Sequence, residues 1–519
     1  MVVFLWLAVL LGASRACHVG ILWADDNLPL AAATQMAQGK ALYRDVWFDK
    51  PPLVAGVPLL WGARAGWPLR MAGAAYVLLI AWLGYRCARA RWGEREGLAA
   101  AGFLAFFLTF GLPSAVLPLA ADLLLVMPHL AAVYFAWRRR AFASGVAAGV
   151  GLLVNSKAVF VLAACALWQW RSLPLLAAGF ALPNLLAAGW MAWQGSLAEY
   201  YRQVWQWGTI YAANTFVERP LLEGLTRTAN WAGFHAALVV GAAALLWRER
   251  AQRWRWVAWA VLALAGVAMG WRFFPRYYFL LLAPAALAAA RGWVLLGRRP
   301  LALALLALLL AIPLARFGPR YVLLARGAAD WSDTAMDRDS REAARKVLAL
   351  ARPGDTLFVW GFRPELFVYT GLPAGTRFLE SQPLSGVFAD RHLFRADAVP
   401  EDIVRPQRQE LLDGRPTFVV DGLGLYNPRL ALAEQDWLRA WLAGYREAGR
   451  TGFSVIYRRG AGSKPGVPPG PGSPAGPRGP AEISSTPATR SCPSEVTATS
   501  TLPGLSSEGT TALICAGLT

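Results

Sequence analysis

The sequence predicts an α-helical polytopic membrane protein of about eleven crossings, with a small α/β domain on its C-terminal side. Three observations predict it. Of the 519 residues, 56% are hydrophobic and 16% charged, with mean hydropathy +0.38, whereas an average soluble domain carries about 25% charged residues. Apolar stretches long enough to cross about 30 Å of hydrocarbon recur through residues 1–317. From Asp337 to Tyr457 the pattern changes to alternating helices and strands. The shortage of charge argues against a soluble enzyme. A formal net charge of +19 makes nucleic acid the first partner to test. It fits poorly, because the basic residues are nearly all Arg and sit in short clusters between apolar runs. The five cysteines show no CxxC spacing and the four histidines no HExxH, so no zinc module or disulfide framework is indicated.

The first apolar stretch runs from Val2 to about Leu22 and lacks the basic start and small-residue cleavage site of a secretory signal, so it reads as a retained anchor. Four arginine clusters follow: Arg86, Arg89, Arg91 and Arg95; Arg138 to Arg140; Arg248, Arg250, Arg253 and Arg255; Arg298 and Arg299. The positive-inside rule places all four in the cytoplasm. The chain between clusters then crosses an even number of times, out over Gly97–Phe110 and back over Leu119–Trp137, out over Trp256–Gly270 and back over Tyr277–Trp293. Phe142–Val154 and Ala158–Trp170 are short for spans and flank Asn155-Ser156-Lys157, which suggests two segments meeting at a buried polar turn. Three loops fall on the outer face: Asp25–Trp67, Trp193–Asn230 and Trp271–Arg276.

Residues 1–317 thus form a transmembrane module and residues 318–460 an outer α/β domain. In that domain Asp339–Ala351 and Glu434–Ala443 read as helices, and Thr356–Trp360 and Thr417–Asp421 as buried strands. Residues 461–519 are rich in Pro, Gly, Ser and Thr and read as disordered.

The first outer loop carries the densest chemistry, WADDNLPLAAATQMAQGKALYRDVWFDKPPL from Trp23 to Leu53. Asp25 and Asp26 stand directly at the end of the first span, where carboxylates are costly unless water, a metal or a ligand meets them. They are either helix caps or functional groups. Tyr43, Arg44, Asp45, Asp49 and Lys50 follow in a stretch rich in aromatic residues. Carboxylates beside a lysine at the interface suit a site that both takes a proton and holds an anion. Arg272 and Arg276 lie on the outer face against the positive-inside trend, next to Tyr277. They read as phosphate ligands or as arginines snorkelling to headgroups. Lys157 is a fourth candidate cation or part of a polar turn, and Asp122 near the start of a span is a further functional carboxylate or the partner of a buried arginine.

This loop, with the acidic pair after the first helix and GKALYRDVWFDKPPL, resembles that of the bacterial glycosyltransferase family 39 proteins. Those are relatives of the protein O-mannosyltransferases and of the aminoarabinose transferase, all of the GT-C fold. PLAADLLLVMPHL around Asp122, GWRFFPRYYFLLLAP from Gly270 and ARPGDTLFVWGFRPELFVYTG from Ala351 resemble further family segments. In the third-loop segment His is commoner in the family than Arg276. The resemblance implies a polyprenyl-phosphate-sugar donor and an inverting transfer at the outer face of the bacterial cytoplasmic membrane. It implies a catalytic acidic residue at Asp25, a neighbour at Asp26 where the family usually has Glu, and a lysine facing the lipid phosphate at Lys50.

General chemistry asks for the same roles: a base for the acceptor proton and cations for the departing phosphate. Asp25 is the expected base and Asp26 a carboxylate that orients it. Lys50, Arg272 and Arg276 are the expected phosphate contacts, with Lys157 as a fourth. Asp25, Asp26 and Asp122 are a candidate group for a divalent cation, although no ligand spacing demands one. The acceptor and the sugar are not legible. A flippase of lipid-linked sugars is the alternative, but no duplicated half supports it.

Overall fold

The computed structural model describes residues 2–297, 299–327 and 332–460. The tail 461–519, expected to be disordered, and Arg298 of the fourth basic cluster lie outside the described residues. Eleven apolar helices build the first module: α1 Val2–Ala16, then, after the outer helix α2 Ala24–Ala37, α3 Trp67–Arg91, α4 Glu94–Phe107, α5 Ala121–Trp137, α6 Ala141–Leu152, α7 Ala158–Gln169, α8 Leu173–Trp193 and, after the outer helices α9 Trp207–Ala213 and α10 Pro220–Phe234, α11 Ala236–Arg248, α12 Arg253–Ala268, α13 Phe279–Leu296 and α14 Pro300–Ala325. Four runs are long and apolar enough on their own to cross a membrane, Trp67–Arg91, Ala158–Trp193, Pro275–Leu296 and Pro300–Ala325, and the pair α10–α11, bent by 88°, makes a fifth when taken together. The other helices are shorter than the roughly 20 residues a straight span needs, so the full set of crossings includes short helices that pack in pairs. The chain is a multi-pass membrane protein.

Close packing replaces the hydrophobic effect as the force between such helices, and small residues permit it. Helices α6 and α8 run side by side in the same direction, so near that a Cβ on Gly145 would sit 2.1 Å from the Leu176 carbonyl oxygen. Helix α7 returns between them: its Gln169 reaches the Ala136 carbonyl, beside the start of α6. The turn joining α6 to α7 holds Asn155 and Lys157, both buried, as the short flanking segments suggested. Helices α11 and α13 meet as closely, at Gly241 and Gly292.

The two ends of the module differ in charge. At one end Arg91 donates to Gln252, and Arg291 pairs with Glu96 and Glu249. Residues from three of the expected cytoplasmic clusters gather there, beside Trp92, Trp137 and Trp256. At the other end lie Asp25, Asp122, Lys157 and Arg276, and the C-terminal domain packs on that end.

That domain is a four-stranded sheet of order β1-β2-β4-β3, with β1 Leu357–Trp360 parallel to β2 Phe418–Asp421, and the hairpin β3 Tyr445–Arg450 and β4 Val455–Arg459 antiparallel to β2. Helices α15 Ser332–Leu350, α16 Glu365–Thr370 and α17 Glu401–Asp413 complete it. The two strands and first helix expected from the sequence are present. The helix expected over Glu434–Ala443 is broken into short turns ending in Arg439–Leu442, because Leu438 and Trp441 insert into the core and the Trp441 indole bonds the Gly414 carbonyl. Helix α14 runs on to Ala325, past residue 317.

Candidate active site

The site grows from the first turn of α2. Trp23 caps this helix with extended backbone and no side-chain cap bond, so neither Asp25 nor Asp26 caps it. Successive helical side chains point about 100° apart, which sends the two carboxylates to different places. Asp25 faces a cavity and pairs with Arg276 at 2.6 Å. Asp26 turns into the bundle, where Arg70 meets it at 2.9 Å and the Leu119 N–H donates to it at 2.8 Å. Arg70 also bonds the carbonyls of His18 and Ile21. The third residue, Asn27, donates to Glu365 of the outer domain at 2.8 Å. One turn of helix is thereby fixed on three sides.

The cavity has a volume of about 410 Å³, within the range of small-molecule sites. Four elements bring charges to it. Arg276 lies between two carboxylates, bonded to Asp25 and 3.6 Å from Asp122. Asp122, at the start of α5, receives Lys157 at 2.9 Å and Asn155 at 3.0 Å. The Lys157 ammonium lies over the Tyr277 ring, 3.1 Å from its centroid. The result is an alternating chain, Asp25–Arg276–Asp122–Lys157, along one wall. Lys50, on the first loop, also lines the cavity, paired with Asp49 at 2.8 Å and with 45% of its side chain exposed. Burial works against its charge, but Asp49 outweighs this and holds the Lys50 pKa above the usual lysine value. Burial pushes the Asp25 carboxyl up, and Arg276 opposes the push without cancelling it.

Arg272 is placed differently from Arg276. It is almost fully buried, donates to Asp390 of the outer domain at 2.7 Å and to the carbonyls of Gly270, Tyr211 and Asn214, and stacks 3.6 Å over the Tyr211 ring. It joins the third outer loop to the outer domain, with little guanidinium turned to the cavity. Trp271 and Phe273 on either side of it have left-handed backbone, φ +56° and +49°. Such strain costs about 1–3 kcal/mol per residue and persists only where surroundings enforce it.

Residues of the first loop divide in the same way. Tyr43 is buried with φ +69°, and its hydroxyl donates to the Lys50 carbonyl at 2.8 Å, so it sets the position of Lys50 instead of presenting a ring to the cavity. Arg44 and Asp45 pair with each other at the surface, away from the cavity. Asp26 is held by Arg70 and does not touch Asp25's cavity. Asp25 and Asp122 meet the same Arg276 while Asp26 is tied to Arg70, and no group of three or more His, Cys, Asp or Glu placed to hold a metal ion occurs among the described residues.

No protein-family model and no curated protein sequence matches this chain. Solved structures do. ArnT from Cupriavidus metallidurans bound to undecaprenyl phosphate is similar over 89% of this chain and 98% of its own, at 18% identity and a TM-score of 0.52. The same protein in the apo state gives 17% identity, 88% and 97% coverage and the same TM-score. The Archaeoglobus fulgidus oligosaccharyltransferase in complex with Zn and sulfate is more distant, at 13% identity, 85% and 71% coverage and a TM-score of 0.45. The chain has the GT-C fold.

Within this GT-C fold the outer domain completes the site. Phe362, Gln382, Ala389 and Asp390 line the cavity from above, and Val204, Trp205, Trp207 and Tyr211 line it from the second outer loop. That loop contains a π-helix over Tyr201–Gln206, a form that often marks functional sites. Its Gln203 accepts from the Phe48 N–H and donates to the Tyr43 carbonyl, locking the second loop to the first. Chemically, the cavity offers one partly open carboxylate with a raised pKa and, on the same cavity, the cations Arg276 and Lys50 able to meet an anion. Sequence reasoning missed Arg70, whose signal was present: it is an arginine at the outer end of a span, against the positive-inside trend. It also missed Gln382, which begins the one-turn helix Gln382–Ser385, and Asp390, which sits in a turn, and neither carries a local signal.

Proposed function

We propose that the chain is a membrane glycosyltransferase of the family 39 type, moving a sugar from a polyprenyl-phosphate donor to an acceptor at the outer face of the bacterial cytoplasmic membrane. The observation that supports it most is the gathering of Asp25, its partner Arg276 and Lys50 around one cavity, at the end of the module away from the arginine clusters. Similarity of fold to a protein solved with undecaprenyl phosphate supports the donor class.

In this reading the donor phosphate meets Lys50 and Arg276, and the lipid chain lies among the apolar helices. An acceptor hydroxyl or amine approaches the sugar carbon from the side opposite the phosphate. Asp25 takes its proton as the new bond forms and the carbon–phosphate oxygen bond breaks, with inversion. The electron pair leaves with the phosphate, whose growing charge Lys50 and Arg276 stabilise. Asp122 holds Lys157 and faces Arg276, so these residues fix the orientation of the arginine. Arg272, read from the sequence as a phosphate contact, is reassigned to joining the outer domain, and Asp26 to anchoring α2.

The test is transfer from a synthetic polyprenyl-phosphate sugar by membranes carrying wild-type protein or Asp25→Asn. Loss of product with unchanged donor binding is expected. Normal transfer by Asp25→Asn overturns the assignment of the base, and movement of donor lipid across the bilayer without transfer favours a flippase.

A further inference from the structure

The first loop and the outer domain meet along a short seam. The Trp47 N–H donates to the Arg377 carbonyl at 2.7 Å, which fastens the first loop to the outer domain two residues before Asp49 and three before Glu380. Two carboxyl groups lie near this seam, each with one buried oxygen that has no partner. Glu380, with 1% of its surface exposed, accepts the Gln382 N–H on Oε2, while its Oε1 is buried with no hydrogen-bond partner. Asp49 holds Lys50 with Oδ2, and its Oδ1 is likewise buried and without a partner. The charged groups acting on Glu380 are Asp49 and Lys50, one raising its proton affinity and one lowering it.

An ionised carboxylate has acceptors only, so a buried carboxylate oxygen that meets no donor stays unsatisfied, as one does on each of these residues. A single proton removes both defects at once. The protonated oxygen donates and the other accepts, and one of the two like charges disappears. We propose that Glu380 and Asp49 share one proton, with Glu380 as the protonated partner, so that the outer domain fixes the charge around Lys50. Burial, opposed by the Gln382 N–H and reinforced by Asp49, raises Glu380 to about 8, in keeping with a carboxyl that is neutral at pH 7.

The consequence for Lys50 rests on its reading as a donor-phosphate contact. With the proton in place, Glu380, Asp49 and Lys50 sum to zero charge, and Lys50, still bonded to Asp49, can meet a phosphate through its exposed side. Once the proton is lost the group is net negative and repels one. Glu380 is thus a positioning residue, acting on the donor through Asp49 and Lys50.

The experiment needs no substrate, so its failure is separate from failure of the transferase reading. Infrared difference spectra of the purified full chain, titrated from pH 5 to pH 10, report protonated carboxyl groups through their C=O stretch. The expected result is a carboxylic-acid band present at pH 7, lost with a midpoint near 8 and missing from Glu380→Gln. In Asp49→Asn the midpoint moves to lower pH, and this variant carries the test should Glu380→Gln not fold. A band unchanged in Glu380→Gln overturns the proposal, as does one that responds to a chelator and not to pH, or one unaffected by Asp49→Asn. If transfer is established, the wild type's KM for the donor rises several-fold above pH 8 while that of Glu380→Gln stays level. A KM that rises equally in both removes the link to Lys50.

Discussion

The cavity wall and the bundle interior treat two adjacent aspartates differently. At the wall Asp25 keeps 26% of its side chain exposed and shares Arg276 with Asp122. In the interior Asp26 has no exposed side chain and meets Arg70, itself bonded through Nε, NH1 and NH2. A carboxylate whose partners are complete holds structure in place, and one left partly open retains capacity for a proton. The comparison breaks most sharply by mutation. Asp25→Asn is expected to lower transfer by about 10²–10⁴-fold, the typical contribution of a general base, with little change in melting temperature. Asp26→Asn is expected to act through stability, costing about 3 kcal/mol or more because it leaves Arg70 buried without its counter-charge. Activity in the Asp26→Asn protein that does fold should stay near normal. The reverse pattern in transfer assays and thermal unfolding would assign the base to Asp26.

A second, smaller effect sharpens the role of the shared arginine. The Asp25 base works only when ionised, so the rate falls as pH drops through its pKa, which burial raises above the usual carboxylate value. Arg276 pulls that pKa down. Arg276→Met removes the pull, so the acid limb of kcat should move to higher pH, in addition to a weaker hold on the phosphate. Lys157→Met, which touches Asp122 and not Asp25, should move the limb less. An acid limb that stays in place in Arg276→Met would separate Asp25 from the titration.

Much of this arrangement is legible in the sequence. Apolar runs and arginine clusters carry the helix order and the two ends of the module, since burial in lipid demands the one and topology the other. Asp25, Lys50, Asp122, Lys157 and Arg276 reach one cavity because each sits at a loop or helix end on the same side. The rest is set by contacts distant in sequence. Arg272 reads like Arg276 until Asp390 and three carbonyls claim it. Tyr43 reads as one more candidate in the aromatic stretch of the first loop until its left-handed backbone and its bond to the Lys50 carbonyl turn it inward. Glu380 and Asp390 belong to the largely irregular stretch between α16 and α17, whose path no local periodicity specifies. The hairpin β3–β4 escapes because YREAGR of β3 is mostly exposed and lacks apolar alternation.

The smallest expected effect concerns the outer rim of the same loop. Arg44 and Asp45 lie between Tyr43 and Lys50 in sequence, and from residue type alone they look as functional as either. They are largely exposed, pair with each other at 2.9 Å, and are screened by solvent. Exposed pairs of this kind contribute little, although Arg44 also bonds the Gln194 carbonyl at the start of the second outer loop. Arg44→Ala and Asp45→Ala are therefore expected to leave transfer within about twofold of wild type, since neither reaches the cavity and salt already weakens the pair. Tyr43→Phe, one residue away, removes only a hydroxyl, yet it frees the Lys50 carbonyl and should raise KM for the donor more than kcat falls. If Arg44→Ala proves the more damaging of the two, position on the loop surface and not the bond to Lys50 governs the site, and the division drawn between wall and rim fails.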